Sequence, residues 1–190
     1  MVAPLELEAV AREPSPNKLN GIRMNLKPTF VVIFILHAVL ATAQDSVDKL
    51  LSKYNSLSVP YISVEELKMQ QNNDKIYILD AREPAEFEVS HLKNALFVGY
   101  NDFSEQLVLK DIKDKSSPIV VYCSLGIRSE KIAEKLVRAG YTNVRNLYGG
   151  IFIWKNKGYK IFDTSGKETE KVHAFSKHWS KYLSNGEKVY

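Results

Sequence analysis

The chain holds one cysteine, Cys123, and its neighbours are of the kinds that make a thiol reactive. Cys123 ends an apolar, β-branched run, Pro118-Ile119-Val120-Val121-Tyr122, and is followed by Ser124-Leu125-Gly126-Ile127-Arg128-Ser129-Glu130. That pattern reads as a strand, a short loop turning on Gly126, and the start of a helix. Such a loop presents N–H groups without carbonyl partners, which together with the helix dipole make a place for negative charge. A sulfur placed there prefers to be an anion. The thiolate is the nucleophile, and a helix N-terminus and a nearby cation, here Arg128, lower a cysteine pKa from its free value of roughly 8.5. The alternative is a small buried residue at a strand end, the common fate of free cysteine. Burial alone explains neither the glycine nor the arginine, so the catalytic reading is preferred.

Cys123 to Ser129 resembles the active-site loop of a single-domain rhodanese, a sulfurtransferase whose cysteine carries sulfur as a persulfide. On that resemblance Cys123 is catalytic, and Ser124, Leu125, Gly126, Ile127, Arg128 and Ser129 bind the substrate. The implied reaction moves a sulfane sulfur from a small-molecule donor to a thiol or cyanide acceptor, without a cofactor. Four residues separate Cys123 from Arg128. Protein tyrosine phosphatases, arsenate reductases and rhodanese-like cell-cycle phosphatases place one more there, so that the loop wraps a tetrahedral oxyanion. A phosphatase or arsenate-reductase-like enzyme is therefore disfavoured by loop length. A non-catalytic rhodanese-like binding module is disfavoured by the intact Cys123 and Arg128, since such modules commonly lose the cysteine. Thiosulfate-preferring rhodaneses often carry a further basic residue in the loop, where this chain has Ser124, Leu125 and Ile127. The expectation is weak thiosulfate activity and a preference for a less anionic, thiol-derived sulfur source.

Asp80-Ala81-Arg82-Glu83-Pro84-Ala85-Glu86-Phe87 is similar to a second rhodanese segment, and Ser90-His91-Leu92-Lys93-Asn94-Ala95 departs from a third at Ser90 and Lys93-Asn94. Asp80, Arg82 and His91 could join Cys123 as acid, cation and base, in the manner of a cysteine hydrolase. The preferred reading is structural: Asp80 and Arg82 satisfy buried backbone and pair with each other or with Glu86, and His91 caps a turn. Persulfide transfer needs no proton-shuttling histidine once backbone dipoles hold the thiolate.

The elements that must position these residues alternate. A helical lead-in over 44–58 carries Val47, Leu50, Leu51 and Tyr54 at helical spacing. Pro60 to Ser63 reads as a strand, and Ser63 with Glu66 as a capping box for a helix over Val64 to Met69. Strands follow at Lys75 to Asp80, Ala95 to Val98, Pro118 to Tyr122 and Asn143 to Tyr148, with helical stretches at Phe103 to Leu109 and after Gly126. Gly149-Gly150 opens a helix over Ile151 to Lys157 holding Trp154, with roles in close backbone approach and core packing. The fold class expected is α/β, a rhodanese-like parallel sheet over 59–161 with helices on both faces and Cys123 at a strand's carboxyl end. Over 162–190, Val172, Phe175, Trp179, Tyr182 and Leu183 recur at helical spacing. They predict a C-terminal helix packing its aromatics on the domain, in preference to a lid or partner-binding helix. His173 and His178 fall on different faces of such a helix, and without another ligand cluster no metal is expected.

The front of the chain reads as targeting. Residues 1–23 show no sustained period and predict no fold. Met24 to Lys27 is a short basic start, Phe30 to Leu40 an apolar run too short to span a membrane, and Ala41-Thr42-Ala43 a cleavage pattern. The expectation is a signal peptide over 24–43, translation starting at Met24, and an exported protein, periplasmic or secreted, with no stable membrane anchor after cleavage. In an oxidising compartment an odd cysteine implies intermolecular pairing or a working thiol, and the loop favours work. The 190 residues suit one domain with appendages, and a formal charge of +4 is too small to demand nucleic acid as a partner. A monomer is expected.

Overall fold

The computed structural model describes residues 47–71 and 76–190. The leader read over 24–43 lies outside them. Helix α1 spans residues 47–54 and is followed by β1 (Tyr61–Ile62), α2 (Val64–Gln70), β2 (Tyr77–Asp80), α3 (Pro84–Val89), β3 (Leu96–Phe97) and α4 (Glu105–Asp111). Then come β4 (Ile119–Tyr122), α5 (Ile127–Arg138), β5 (Val144–Leu147) and α6 (Gly150–Asn156). The five strands form one parallel sheet in the order β1-β5-β4-β2-β3.

That these strands are mainly apolar follows from the two cores. Side chains alternate across a strand and helices cover both faces, so the polar exceptions, Asp80 of β2 and Arg145 and Asn146 of β5, are each hydrogen-bonded. Along β4, Ile119 and Val121 enter the core that holds Ile132, Ala133 and Leu136 of α5, while Val120 and Tyr122 enter the opposite core with Leu67 of α2 and Phe152 of α6. The expected α/β sheet with covered faces is thus present. Strand order reverses between β3 and β4, which places the carboxyl end of β4 where open α/β sheets leave a crevice.

Two local expectations need correction. Only half of the Ser63–Glu66 capping box forms. Ser63 Oγ accepts the Glu66 N–H at 3.1 Å, but Glu66 Oε1 accepts from Gln70 and, at 2.7 Å, from Arg145 instead of reaching back. The C-terminal extension is not a helix. Beyond α6 the chain makes β6 (Ile161–Phe162), β7 (Glu168–Thr169), β8 (Lys171–His173), a single 3-10 turn (Ser180–Tyr182) and β9 (Glu187–Val189). β8 pairs in parallel with β9. Phe175 breaks the helical pattern: its φ is +62°, and its N–H goes to His173 Nδ1 at 3.1 Å instead of a carbonyl four residues back. Among the described residues no helix is long and apolar enough to cross a membrane.

Candidate active site

Cys123 follows directly on β4 and is 2 % exposed. Its Sγ accepts the Gly126 N–H at 3.1 Å, the bond expected of a loop that folds back before a helix. Gly126 sits at φ +105°, and a Cβ there would stand 3.2 Å from the Leu147 carbonyl oxygen. Positive φ and crowding together call for glycine.

The loop carbonyls are turned away from the sulfur by α6. The Ile151 N–H donates to the Cys123 carbonyl at 3.0 Å and the Phe152 N–H to the Ser124 carbonyl at 3.2 Å. That approach needs Gly150, where a Cβ would lie 2.2 Å from the Cys123 oxygen. The double glycine therefore acts on the Cys123 peptide itself, a sharper role than general packing.

Ser129 of α5 and Asn146 of β5 brace the loop. Ser129 Oγ donates to Asn146 Oδ1 at 2.7 Å and lies 3.5 Å from Cys123 Sγ. Asn146 Nδ2 donates to the Gly126 carbonyl at 2.8 Å, as does Asn55 Nδ2 at 2.9 Å. A hydroxyl has one proton, and the shorter bond takes it. Burial pushes the Cys123 thiol up, but the Arg128 charge and the backbone N–H groups of Ser129 and Gly126 outweigh it and hold the pKa below the ordinary thiol value.

Arg128 is not a free cation. Its Nη1 and Nη2 each donate to the Glu86 carboxylate at 2.7 Å, and Nη2 also reaches Ser124 Oγ at 3.0 Å. Ser124 Oγ in turn donates to Glu86 Oε1 at 2.8 Å. Glu86, on α3 and 1 % exposed, also accepts the Glu83 N–H at 3.0 Å, so one carboxylate ties the helix start to the loop. Burial raises its pKa, yet the Arg128 hydrogen bonds and charge win and hold it below the usual glutamate value. A depressed carboxyl stabilises the fold above its unfolded pKa of about 4.3, and that contribution is lost as pH falls through the lower folded value. Acid titration followed by circular dichroism is expected to show a loss of stability below pH about 4 that is smaller in Glu86→Gln.

Asp80 and Arg82 lie one layer behind. Both are fully buried, with Arg82 Nε donating to Asp80 Oδ1 at 2.9 Å and Nη2 to Oδ2 at 2.6 Å. Nη2 also donates to the Ser90 carbonyl at 2.6 Å, and the Tyr122 hydroxyl donates to Asp80 while accepting the Leu92 N–H at 3.1 Å. This set closes the turn after β2. His91 stacks on Phe87 with ring centroids 4.2 Å apart, and its Nδ1 sits 3.0 Å from the Leu92 carbonyl. It lines no part of the cavity over Cys123.

That cavity has a volume of about 220 Å³. Cys123, Ser124, Leu125, Ile127 and Arg128 line it from the loop, and Phe175 and Trp179 from the C-terminal segment. Sequence reasoning did not place Glu86, Asn146, Phe175 or Trp179 here. Only Glu86 carried a signal, since its segment resembles a rhodanese one. Among the described residues no group of three or more metal-ligating side chains is gathered.

Curated relatives include the tRNA uridine(34) hydroxylase of Photorhabdus laumondii subsp. laumondii, 36% identical over 102 residues, which is 51% of this chain and 28% of that protein. The enzyme of that name from Hamiltonella defensa subsp. Acyrthosiphon pisum is 31% identical over 134 residues, 68% of this chain and 35% of that protein. The chain thus spans about a third or less of the length of these relatives. Of solved structures, the rhodanese-like domain from an Anabaena protein superposes with a TM-score of 0.50 at 24% identity, covering 55% of this chain and 79% of that one. Thiosulfate sulfurtransferase from Pseudomonas aeruginosa gives 0.52 at 20% identity, covering 74% and 26%. At such identities the structures show a shared fold. The family model for the rhodanese-like domain matches residues 63–157, half of the 190, and takes in the whole of the Cys123 loop. The chain belongs to the rhodanese-like domain family.

Proposed function

We propose that this protein is a sulfurtransferase that carries a sulfane sulfur on Cys123. The observation that supports this most is the buried Sγ accepting the Gly126 N–H at the floor of an open cavity, with its pKa held down. In the first half-reaction the thiolate attacks the outer sulfur of a donor; the donor's S–S bond breaks and a Cys–S–S⁻ anion forms. The first-turn amides of α5 and the Arg128 field stabilise that anion. In the second half a thiol or cyanide takes the outer sulfur and the thiolate returns. No step requires a general base, in keeping with the structural places of Asp80, Arg82 and His91.

A phosphatase-like or arsenate-reductase-like activity is disfavoured by more than loop length. Arg128 would have to turn its guanidinium toward an oxyanion, and Glu86 holds both Nη atoms. Hydroxylation of a tRNA uridine is the named activity of longer proteins. For this chain, sulfur chemistry at Cys123 is the reading its own residues support. Export through the 24–43 leader belongs to the same proposal.

Intact mass spectrometry tests it. After incubation with a sulfane donor the protein is expected to gain one sulfur atom, which cyanide removes as thiocyanate. No adduct with any donor, or hydrolysis of a phosphate ester by the unloaded protein, would overturn it.

A further inference from the structure

The rim of the Cys123 cavity is not made by the parallel sheet and its helices alone. Phe175 and Trp179 reach over it from the segment between β8 and β9. Phe175 is held at φ +62°, a backbone region that costs a bulky residue strain and persists only where the surroundings impose it. Its ring lies 4.9 Å from the Arg128 guanidinium carbon. Trp179 is braced by Tyr54 and Tyr182, each with ring centroids at 6.2 Å, and by His178 at 5.1 Å. Two rings thus stand at the rim of the cavity that holds the sulfur, Trp179 packed among other aromatics and Phe175 half exposed.

The cavity offers little to a strongly charged donor. Arg128 is the one charged residue among the described residues that line it; its field reaches the sulfur, but both its Nη atoms already donate to Glu86 and its guanidinium faces the Phe175 ring. A dianion entering would lose its hydration without an unpaired cation to replace it. Apolar carbon is better received: a dry apolar cavity of about 150 Å³ already holds a benzene ring, and this one measures about 220 Å³.

We infer that the physiological sulfur donor is an organic sulfane with an apolar, ring-sized group, which seats on Phe175 and Trp179 while its terminal sulfur meets Cys123. The inference rests on the sulfur-carrier reading and narrows it to a donor class. It makes the C-terminal segment a specificity element of the active site, with Phe175 and Trp179 as the residues that recognise the donor's body.

Three donors with the same terminal sulfur separate charge from apolar size: dianionic thiosulfate, monoanionic methanethiosulfonate and monoanionic benzenethiosulfonate. With the last, the Cys123 thiolate attacks the terminal sulfur and a Cys–S–S⁻ bond forms. The bond to the sulfonyl sulfur breaks, and its electron pair leaves with benzenesulfinate; no oxidant or proton is needed. Loading of the full chain is followed by intact mass at several donor concentrations. Benzenethiosulfonate is expected to load at least about tenfold more efficiently than methanethiosulfonate, because five more carbons are buried, and thiosulfate is expected to be the slowest. In Phe175→Ala and in Trp179→Ala the phenyl-to-methyl ratio is expected to fall at least about threefold. The ratio is taken within one preparation, so a misfolded fraction cancels. A wild-type ratio near one, a ratio unchanged in both variants, or thiosulfate as the fastest donor would overturn the inference and leave the carrier reading standing. Failure of all three to load Cys123 would overturn both.

Discussion

With cyanide as acceptor, Cys123→Ser is expected to lower kcat/KM by on the order of 10³-fold or more, which is at least about 4 kcal/mol of transition-state stabilisation. The hydroxyl that replaces the thiol has no accessible anion near neutral pH, and no other thiol exists in the chain to take over the load. Position is unchanged by the substitution, because Ser is nearly isosteric and the Gly126 N–H can still find an acceptor. The check is thiocyanate production from a sulfane donor, alongside circular dichroism to show that the variant is folded. Activity within tenfold of wild type would mean that the sulfur does not pass through Cys123.

Asp80→Ala is expected to have the largest effect on stability, about 3–5 kcal/mol. Asp80 receives the Arg82 Nε–H, shared between its two oxygens, and one hydrogen bond each from Arg82 Nη2, the Arg82 backbone N–H and the Tyr122 hydroxyl, all out of contact with water. Burial lowers the Arg82 pKa, yet the charge of Asp80 and its hydrogen bonds hold it above the ordinary value. Without the carboxylate, that buried charge keeps only the Ser90 carbonyl and the Tyr122 ring face, whose centroid lies 5.6 Å away. Against a total stability of about 5–15 kcal/mol, the loss would lower the melting temperature by about 10 °C or more. Urea denaturation of both proteins measures it. A change below about 1 kcal/mol would show that water or a rearranged Arg82 replaces the pair, while loss of sulfur loading in a fully stable variant would return Asp80 to the chemistry.

How much of this was legible beforehand divides by range along the chain. The strand before Cys123, the turn on Gly126 and the helix after it are consecutive, and their signals are consecutive too. Gly149-Gly150 could be read as a close-approach motif, but not that the group approached is the Cys123 carbonyl. The pairing of Arg128 with Glu86 joins residues 42 apart in sequence. Both segments carry signals, yet nothing local says that a carboxylate on α3 pairs with the arginine beside Cys123. The tail misled for another reason. Val172, Phe175, Trp179 and Leu183 have helical spacing, which any set of four residues meeting one surface can mimic. A left-handed Phe175 and the parallel pairing of β8 with β9 are tertiary outcomes that override the period. In consequence, the aromatics read as covering the domain in general turn out to include the two that line the cavity over Cys123.

The central claim, a buried thiol kept ionised by the Gly126 amide and the Arg128 field, is tested most directly by the pH dependence of Cys123 alkylation. With a small neutral reagent such as iodoacetamide, the rate reports the thiolate fraction. The account predicts a midpoint clearly below the roughly 8.5 of a free cysteine, moving upward in Arg128→Ala. A midpoint at or above the free value, unmoved by that substitution, would contradict it.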